Sequence, residues 1–242
     1  DGASGQGKRI GIRTNIFVGR VADELTHISC RTTGQVRRVA FAALLGAALG
    51  ATARGADVTV DFVAQWGGPT YAVATVGNRA YIGIGPRLVV LDISTPASPV
   101  LLGQTPPLAG VVQGVAVAGN YAYLAASAAG LIVINIANPA SPVRAGGCPT
   151  LEYAQSVAVA GNYAYVADSY SGLQIINVAN PASPTRVGGY DSPGYTWDVS
   201  VSGNYAYLAS QDIGLEVVRI STPSAPARVG LYSSPYIIAL TY

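Results

Sequence analysis

The chain of 242 residues is half hydrophobic, only 11% charged, and carries a formal net charge of +2. It is long enough to bury a substantial core, and its many Val, Ile, Ala, Tyr, Gly and Pro residues favour a β-rich, turn-rich fold. Residues 1–56 carry eight basic and three acidic side chains, whereas residues 57–242 carry six and nine. Because the second part lacks a basic stripe interleaved with aromatic residues, the sequence argues against a nucleic-acid-binding protein.

The first element that the sequence predicts is a secretory signal. Arg37 and Arg38 precede an apolar stretch over residues 39–50, and Ala51-Thr52-Ala53 has the form of a cleavage site. The apolar stretch is shorter than the ~20 residues of a membrane-spanning helix, although an uncleaved anchor or a buried helix stays open. We expect a protein that is secreted or held at the cell surface, with no membrane span after cleavage. It divides into an upstream or disordered extension (1–35), a signal-peptide-like segment (36–56) and a folded domain (57–242).

Two markers recur along the folded domain at a nearly fixed interval. The pentapeptide Gly-Asn-x-Ala-Tyr begins at Gly77, Gly119, Gly161 and Gly203, 42 residues apart each time. A proline-rich linker of the form Pro-x-x-Pro keeps the same period. A period in this range is typical of repeat architectures. The linkers begin at Pro96, Pro139, Pro181 and Pro223.

Each repeat reads as four antiparallel strands. In residues 196–232, two alternating segments flank the turn Gly203-Asn204, where glycine in the first turn position fits a type II′ hairpin. Two further strands follow, joined by the proline linker, which cannot pair in a ladder. Sheets with two apolar faces must pack face to face, so we predict an all-β protein, a β-propeller of four-stranded blades, with a β-solenoid as the alternative. The repeats lie near 70–104, 112–147, 154–189 and 196–232, with a partial strand over 236–242.

The third repeat carries a resemblance to a known family. Residues 156–168 read SVAVAGNYAYVAD, and residues 172–184 read GLQIINVANPASP. This combination resembles the LVIVD repeat, a β-propeller repeat of bacterial and archaeal surface or secreted proteins, over roughly residues 70–242. The resemblance implies the propeller fold. It implies no enzymatic activity and no catalytic residues, because the family has none in common.

The ends of the domain suggest self-association. Residues 58–66 resemble the fourth strand of a blade, and residues 236–242 resemble a first strand without its hairpin partner. The chain is then either part of a larger propeller or a complete four-bladed ring with a strand left over. A spare apolar strand is a template for pairing with a neighbouring chain, which makes a fibre or tube possible. The candidate assembly residues are Val58, Val60, Phe62, Tyr236, Ile238 and Leu240.

The sequence offers little catalytic chemistry. The single histidine, His27, precedes the predicted signal, so residues 57–242 lack an imidazole base or metal ligand. We expect no cofactor, no metal and no enzymatic activity. The alternative is an enzyme with an acidic axial site built from Asp168, Asp191 and Asp212, of which Asp168 and Asp212 are interpreted as matching turn positions. Cys148 is interpreted as a small apolar residue at a strand end, with pairing between chains as its alternative.

Loops between successive blades vary in sequence, unlike the pentapeptides. In a propeller these loops gather on one face near the axis, which makes this face a candidate binding surface for a protein or a glycan. The competing interpretation is ordinary loop variation with Trp197 buried in the core. We expect a non-catalytic scaffold whose partners are itself or other surface proteins. The candidate binding residues are Glu152, Tyr153, Asp191, Tyr195 and Trp197.

Overall fold

A computed structural model describes residues 70–234, which form four separate four-stranded antiparallel sheets. Within each sheet the strands lie in chain order, so each repeat is a meander and forms one blade. The predicted four-strand repeat is therefore confirmed. The strands of the first blade are β1 (Thr70–Val76), β2 (Arg79–Ile84), β3 (Arg87–Asp92) and β4 (Val100–Gln104); of the second, β5 (Gly114–Ala118), β6 (Tyr121–Ala125), β7 (Leu131–Asn135) and β8 (Val143–Cys148); of the third, β9 (Ser156–Ala160), β10 (Tyr163–Ala167), β11 (Leu173–Asn177) and β12 (Thr185–Tyr190); and of the fourth, β13 (Tyr195–Ser202), β14 (Tyr205–Gln211), β15 (Gly214–Arg219) and β16 (Ala227–Ser233).

The Gly-Asn turns set the register of the first two strands in every blade. The four turn glycines have φ between 55° and 56°, and the asparagines that follow them do not have positive φ. Positive φ at the first turn position alone is the signature of the predicted type II′ hairpin, whose twist matches that of the paired strands. The short turn brings small residues of the first strand opposite the tyrosine-bearing second strand, as in the pair Ala158 and Tyr165.

Successive blades pack through apolar faces that match each other. We call the face toward the following blade the trailing face and the face toward the preceding blade the leading face. Between the third and fourth blades, Tyr165 and Ile175 of the trailing face pack against Leu208 and Val218 of the leading face. Equivalent buried clusters join the first blade to the second and the second to the third. The innermost strands pack in the same order, and no comparably extensive contact joins β13 to β1 within residues 70–234.

A second contact joins each blade to the next at the outer edge. A Cβ built on Gly103 of β4 would lie 2.5 Å from the carbonyl oxygen of Pro139, in the linker of the second blade. Gly146 meets the Pro181 linker and Gly188 meets the Pro223 linker in the same way. We call this the glycine–linker contact. It explains why a glycine and a Pro-x-x-Pro segment recur together with one period, because any side chain would push the neighbouring backbone away.

The fourth blade provides a matched control for the glycine–linker contact. Gly230 occupies the same position as Gly188, but among residues 70–234 a Cβ on Gly230 would meet only Val217 of its own blade, at an ordinary 3.4 Å. We expect Gly188→Ala to lower the melting temperature of the chain by several degrees, because the Pro223 backbone must shift. Gly230→Ala is expected to leave it unchanged. Thermal unfolding followed by circular dichroism compares the two, and equal effects would contradict the assigned contact.

Candidate functional site

Three aromatic side chains are in contact at one end of the third and fourth blades, Tyr170 from the turn between β10 and β11 and Tyr195 and Trp197 from β13, and the loop that carries Tyr153 is hydrogen-bonded to that turn. Tyr195 stands between Tyr170 and Trp197, with ring centroids 4.9 Å from Tyr170 in an edge arrangement and 4.4 Å from Trp197 in a tilted one. Tyr170 is 71% exposed and Tyr153 is 51% exposed. Tyr195 and Trp197 are half-buried, so the cluster combines two partly enclosed rings with the exposed ring of Tyr170. Aromatic groups of this kind supply large contact areas at low entropic cost.

Buried polar side chains hold these loops in place. One carboxylate oxygen of Asp168, Oδ2, accepts hydrogen bonds from the backbone amides of Leu151 and Glu152 at 2.9 and 3.1 Å. The hydroxyl of Ser169 donates to the carbonyl oxygen of Tyr153 at 2.8 Å. Because Asp168 and Ser169 are almost completely buried, the loop that carries Tyr153 is anchored to the turn that precedes Tyr170.

Two amide side chains support the central rings. Gln155 donates from Nε2 to the hydroxyl oxygen of Tyr195 at 2.8 Å. Trp197 donates from its indole nitrogen to Oε1 of Gln211 at 3.0 Å. Both rings thus have their polar atoms paired, which fixes their orientation and leaves their faces and edges to make other contacts. The structure therefore describes an ordered aromatic surface.

The charge around this aromatic surface is negative. Glu152, Asp191 and Asp212 are exposed in the loops at the same end of the blades. Residues 149–172 and 191–218 contain no lysine or arginine. The single ion pair of the described residues joins Arg228 to Glu216, so these three carboxylates have no cationic partner within residues 70–234.

A second polar cluster is buried between the third and fourth blades, around the carboxylate of Glu216. The hydroxyl of Tyr190 and the guanidinium of Arg228 donate to Oε2 at 2.7 and 3.0 Å. The hydroxyls of Ser192 and Ser210 donate to Oε1. Glu216 is completely buried, and its oxygens are occupied by four donors. This arrangement suits a structural cross-link between blades rather than a general base, which would need a free oxygen.

The pKa values in this cluster follow from burial and from the hydrogen bonds. Burial alone would raise the pKa of Glu216, but the hydrogen bonds from Ser192, Tyr190, Ser210 and Arg228 outweigh it and lower the pKa below its ordinary value. Burial and the hydrogen bond to Glu216 raise the pKa of Tyr190 to about 12. The folded state therefore favours an ionised Glu216 beside a neutral Tyr190.

Comparison with known proteins decides the family. The family model of the LVIVD repeat matches four times, over residues 67–105, 109–150, 152–192 and 193–234. The chain belongs to the LVIVD-repeat family. The resemblance inferred from the third repeat is confirmed, and the match extends to all four repeats.

Solved structures agree on the fold of the LVIVD repeats. The crystal structure of the computationally designed Ika4 protein aligns with a TM-score of 0.55 and 13% identity, covering 64% of this chain and 93% of Ika4. The computationally designed Ika8 protein aligns with a TM-score of 0.56 and 11% identity, covering 69% of this chain and 50% of Ika8. These likenesses concern the fold alone. No curated protein matches the sequence significantly.

The structure brings two of the five predicted binding residues into direct contact and leaves Glu152 and Asp191 exposed on separate loops. Tyr195 and Trp197 are in direct contact, and Tyr153 is linked to their loops through Ser169. Trp197 is half-buried at the surface rather than enclosed in the core. Tyr170 was missed, because it lies inside a short turn and only the three-dimensional packing places its ring on Tyr195.

The predicted equivalence of Asp168 and Asp212 is wrong. The amide of Asp168 donates to the carbonyl oxygen of Gly172 to close its turn, as that of Ala126 does with Gly130 in the second repeat. Ser210 pairs with Gly214 in the fourth repeat, so it is Ser210 that corresponds to Asp168. Asp212 lies within the turn itself, with a φ of 66°. In the described range no three Asp, Glu, His or Cys side chains are grouped so that they could hold a metal ion.

Other predictions concern the ends of the chain and its cysteine. Val58, Val60, Phe62, Tyr236, Ile238 and Leu240 lie outside the described residues, as do the extension and the signal-like segment. No helix of residues 70–234 is long and apolar enough to cross a bilayer. Cys148 ends β8 and is buried, as predicted for a strand-end residue, and burial raises the pKa of its thiol.

Proposed function

We propose that this LVIVD-repeat chain is a non-catalytic subunit that self-associates outside the cell, as a secreted or cell-surface scaffold. The supporting observation is apolar surface left at the end of the repeat array. At one position of the inner strands, Val157 and Val199 are 7% and 5% exposed and Val115 is half-buried, whereas Val73 of β1 is 42% exposed. Terminal repeats with uncapped apolar surface favour association, since each repeat normally covers its neighbour.

The chemistry of the carboxylates supports a non-catalytic role. The oxygens of Glu216 are occupied by four donors. Oδ2 of Asp168 anchors a loop through two backbone amides, while its Oδ1 is buried without a hydrogen-bond partner among residues 70–234. The exposed carboxylates Glu152, Asp191 and Asp212 lie on separate loops with no histidine in residues 57–242 to act beside them. These carboxylates are engaged in holding blades and loops together or remain solvated.

Self-association is tested by measuring the mass of the protein as its concentration rises. Light scattering after size-exclusion chromatography is expected to show growth in mass, and electron microscopy is expected to show rings or fibres. Removing Tyr236–Tyr242 is expected to reduce this growth if the predicted terminal strand takes part. A particle that remains monomeric at millimolar concentration would overturn the proposal.

Binding through the aromatic loop surface is a second candidate, favoured by the cluster of Tyr170, Tyr195 and Trp197. We expect a protein or glycan ligand to change tryptophan fluorescence on titration, because Trp197 lies within the cluster. Tyr170→Ala is expected to weaken such binding about tenfold, since stacked aromatic contacts contribute about 1–2 kcal/mol. Tyr205→Ala serves as the control, because Tyr205 is also exposed but begins β14 beside the Gly203-Asn204 turn, at the other end of the blade. Equal losses in the two variants would contradict this site.

A further inference from the structure

The glycine–linker contact is formed three times in the described residues, which leaves one glycine and one linker unused. Gly103, Gly146 and Gly188 each receive the linker of the following blade. Gly230 has the same place on β16 but no linker against it. At the other end, Pro96 begins a linker that fits against none of the three occupied glycines. Within residues 70–234 there is therefore one glycine without a linker, Gly230, and one linker without a glycine, which begins at Pro96.

The exposure of the linkers agrees with this count. Pro139, Pro181 and Pro223 are half-buried, because each lies against the glycine of the preceding blade. Pro96 is exposed at the equivalent position. On the fourth blade, Tyr207 is half-buried, whereas Tyr165 at the same position of the third blade is enclosed by the next blade.

The unused linker already has the shape of the docked ones. The amide of Ser98 donates to the carbonyl oxygen of Thr95 at 2.9 Å, which closes the same turn as Ser141 with Asn138 and Ala225 with Thr222. Its sequence combines segments that dock elsewhere in the chain. Residues 94–96 repeat the Ser-Thr-Pro of residues 221–223, and residues 96–99 repeat the Pro-Ala-Ser-Pro of the second and third linkers. A segment that is already ordered loses little conformational entropy on binding.

We propose that the fourth blade of one copy binds the first-blade linker of a second copy, so that the glycine–linker contact continues between chains. This inference rests on the proposed self-association and names its surfaces: Gly230 with the adjoining part of β16 on one copy, and residues 94–99 on the next. The two surfaces differ, so the interface is heterologous and generates a closed ring or an open fibre.

The leading face of the first blade has a limited part in this junction. Ala80, Ile82, Val89 and Leu91, which form that face, are already buried in the single chain. The second copy therefore contributes mainly its exposed linker, together with Val73 on the inner strand of that face, which is 42% exposed. If the junction consists mainly of the linker, association is expected to depend strongly on the space next to Gly230, because a side chain there would occupy the place of the linker.

Substitution at Gly230 tests the inference, because the first carbon of a new side chain would make only an ordinary 3.4 Å contact with Val217 among the described residues. We measure sedimentation velocity of the full 242-residue chain over a range of concentrations, for the wild type and for Gly230→Val. Association is expected to weaken at least tenfold in the variant while its melting temperature stays within about 2 °C of wild type. Pro96→Tyr is expected to weaken association similarly from the other side, because Pro96 is exposed whereas its docked counterparts Pro139, Pro181 and Pro223 are half-buried.

Mixing the two variants distinguishes this junction from other modes of assembly. Gly230→Val retains an intact linker, and Pro96→Tyr retains an intact Gly230 surface, so an equimolar mixture is expected to form dimers and nothing larger. If Gly230→Val assembles as well as wild type, the surfaces are wrong although self-association stands. If wild type stays monomeric, both proposals fall. A monomer whose amides near Pro96 are protected from hydrogen exchange would show that the linker closes onto its own chain, which also overturns the inference.

Discussion

Replacing Glu216 with alanine is expected to lower the free energy of unfolding by about 3 kcal/mol, the upper end of the cost of leaving buried donors without an acceptor, whereas Arg228 is 38% exposed and can be solvated once its partner is lost. Tyr190, Ser192, Ser210 and Arg228 all donate to this carboxylate. Its removal leaves two buried serine hydroxyls without their acceptor and opens a cavity between the third and fourth blades. The loss is large because Glu216 is completely buried and joins two blades.

Glu216→Gln provides the conservative comparison. Gln174 occupies the same position in the preceding repeat, where its Oε1 accepts from Nε of Arg186 at 2.5 Å. A glutamine is therefore compatible with this site in a blade that also carries the arginine. We expect Glu216→Gln to lose less stability than Glu216→Ala, while Glu152→Gln, at an exposed position, is expected to have almost no effect.

The stability of the cluster is expected to depend on pH at both extremes. The pKa of Glu216 is lowered on folding, so its contribution is complete above its unfolded pKa of about 4.3 and is lost as pH falls through the folded value. The pKa of Tyr190 is raised to about 12, so its contribution is complete below about pH 10 and is lost as pH rises toward 12.

Urea unfolding at a series of pH values measures these dependences. The difference in unfolding free energy between wild type and Glu216→Gln is expected to shrink below pH 4, because protonation removes the charge that the glutamine lacks. A difference that stays constant down to pH 2 would contradict the assigned role of the carboxylate.

The repeating parts of the fold could be predicted because they depend on local chemistry. Gly119 and Asn120 specify a tight hairpin through backbone conformation alone, and Pro139 interrupts pairing wherever it occurs. Because the Gly-Asn turn and the proline linker recur in every repeat, the strand arrangement predicted for one blade applied to all four. The apolar alternation on either side of each turn then implied faces that other blades must cover.

The polar clusters could not be predicted, because their members are distant in sequence and unlike in type. Glu216 meets Tyr190 and Ser192 only when the fourth blade packs on the third, 26 and 24 residues away. The error over Asp168 and Asp212 has a related cause, since two aspartates in similar turns suggested a common role. The backbone distinguishes the two residues, because Asp168 closes its turn through a hydrogen bond to Gly172, whereas Asp212 lies inside its turn.

Replacing Tyr165 with alanine is expected to cost about 3–5 kcal/mol, as for other large aromatic side chains removed from a core. Tyr165 is 4% exposed and packs with Leu208 and Val218 of the fourth blade. Burial is the main cause that raises the pKa of its phenol. The cavity would lie at the junction of two blades, where both sheets would have to move to fill it.

Tyr207→Ala is the matched comparison, because Tyr207 has the same place in the fourth repeat and is only half-buried. Tyr207→Ala is expected to lower the free energy of unfolding by about 1 kcal/mol, because Tyr207 has a smaller apolar area removed from water. Urea unfolding of dilute protein, at concentrations where no association is detected, measures both variants. Equal losses would mean that the fourth blade is covered as completely as the third, and the end of the array would then offer no surface to a second copy. A small loss in dilute protein that grows with concentration would instead place Tyr207 close to the junction between copies, because association then adds to the burial of its ring.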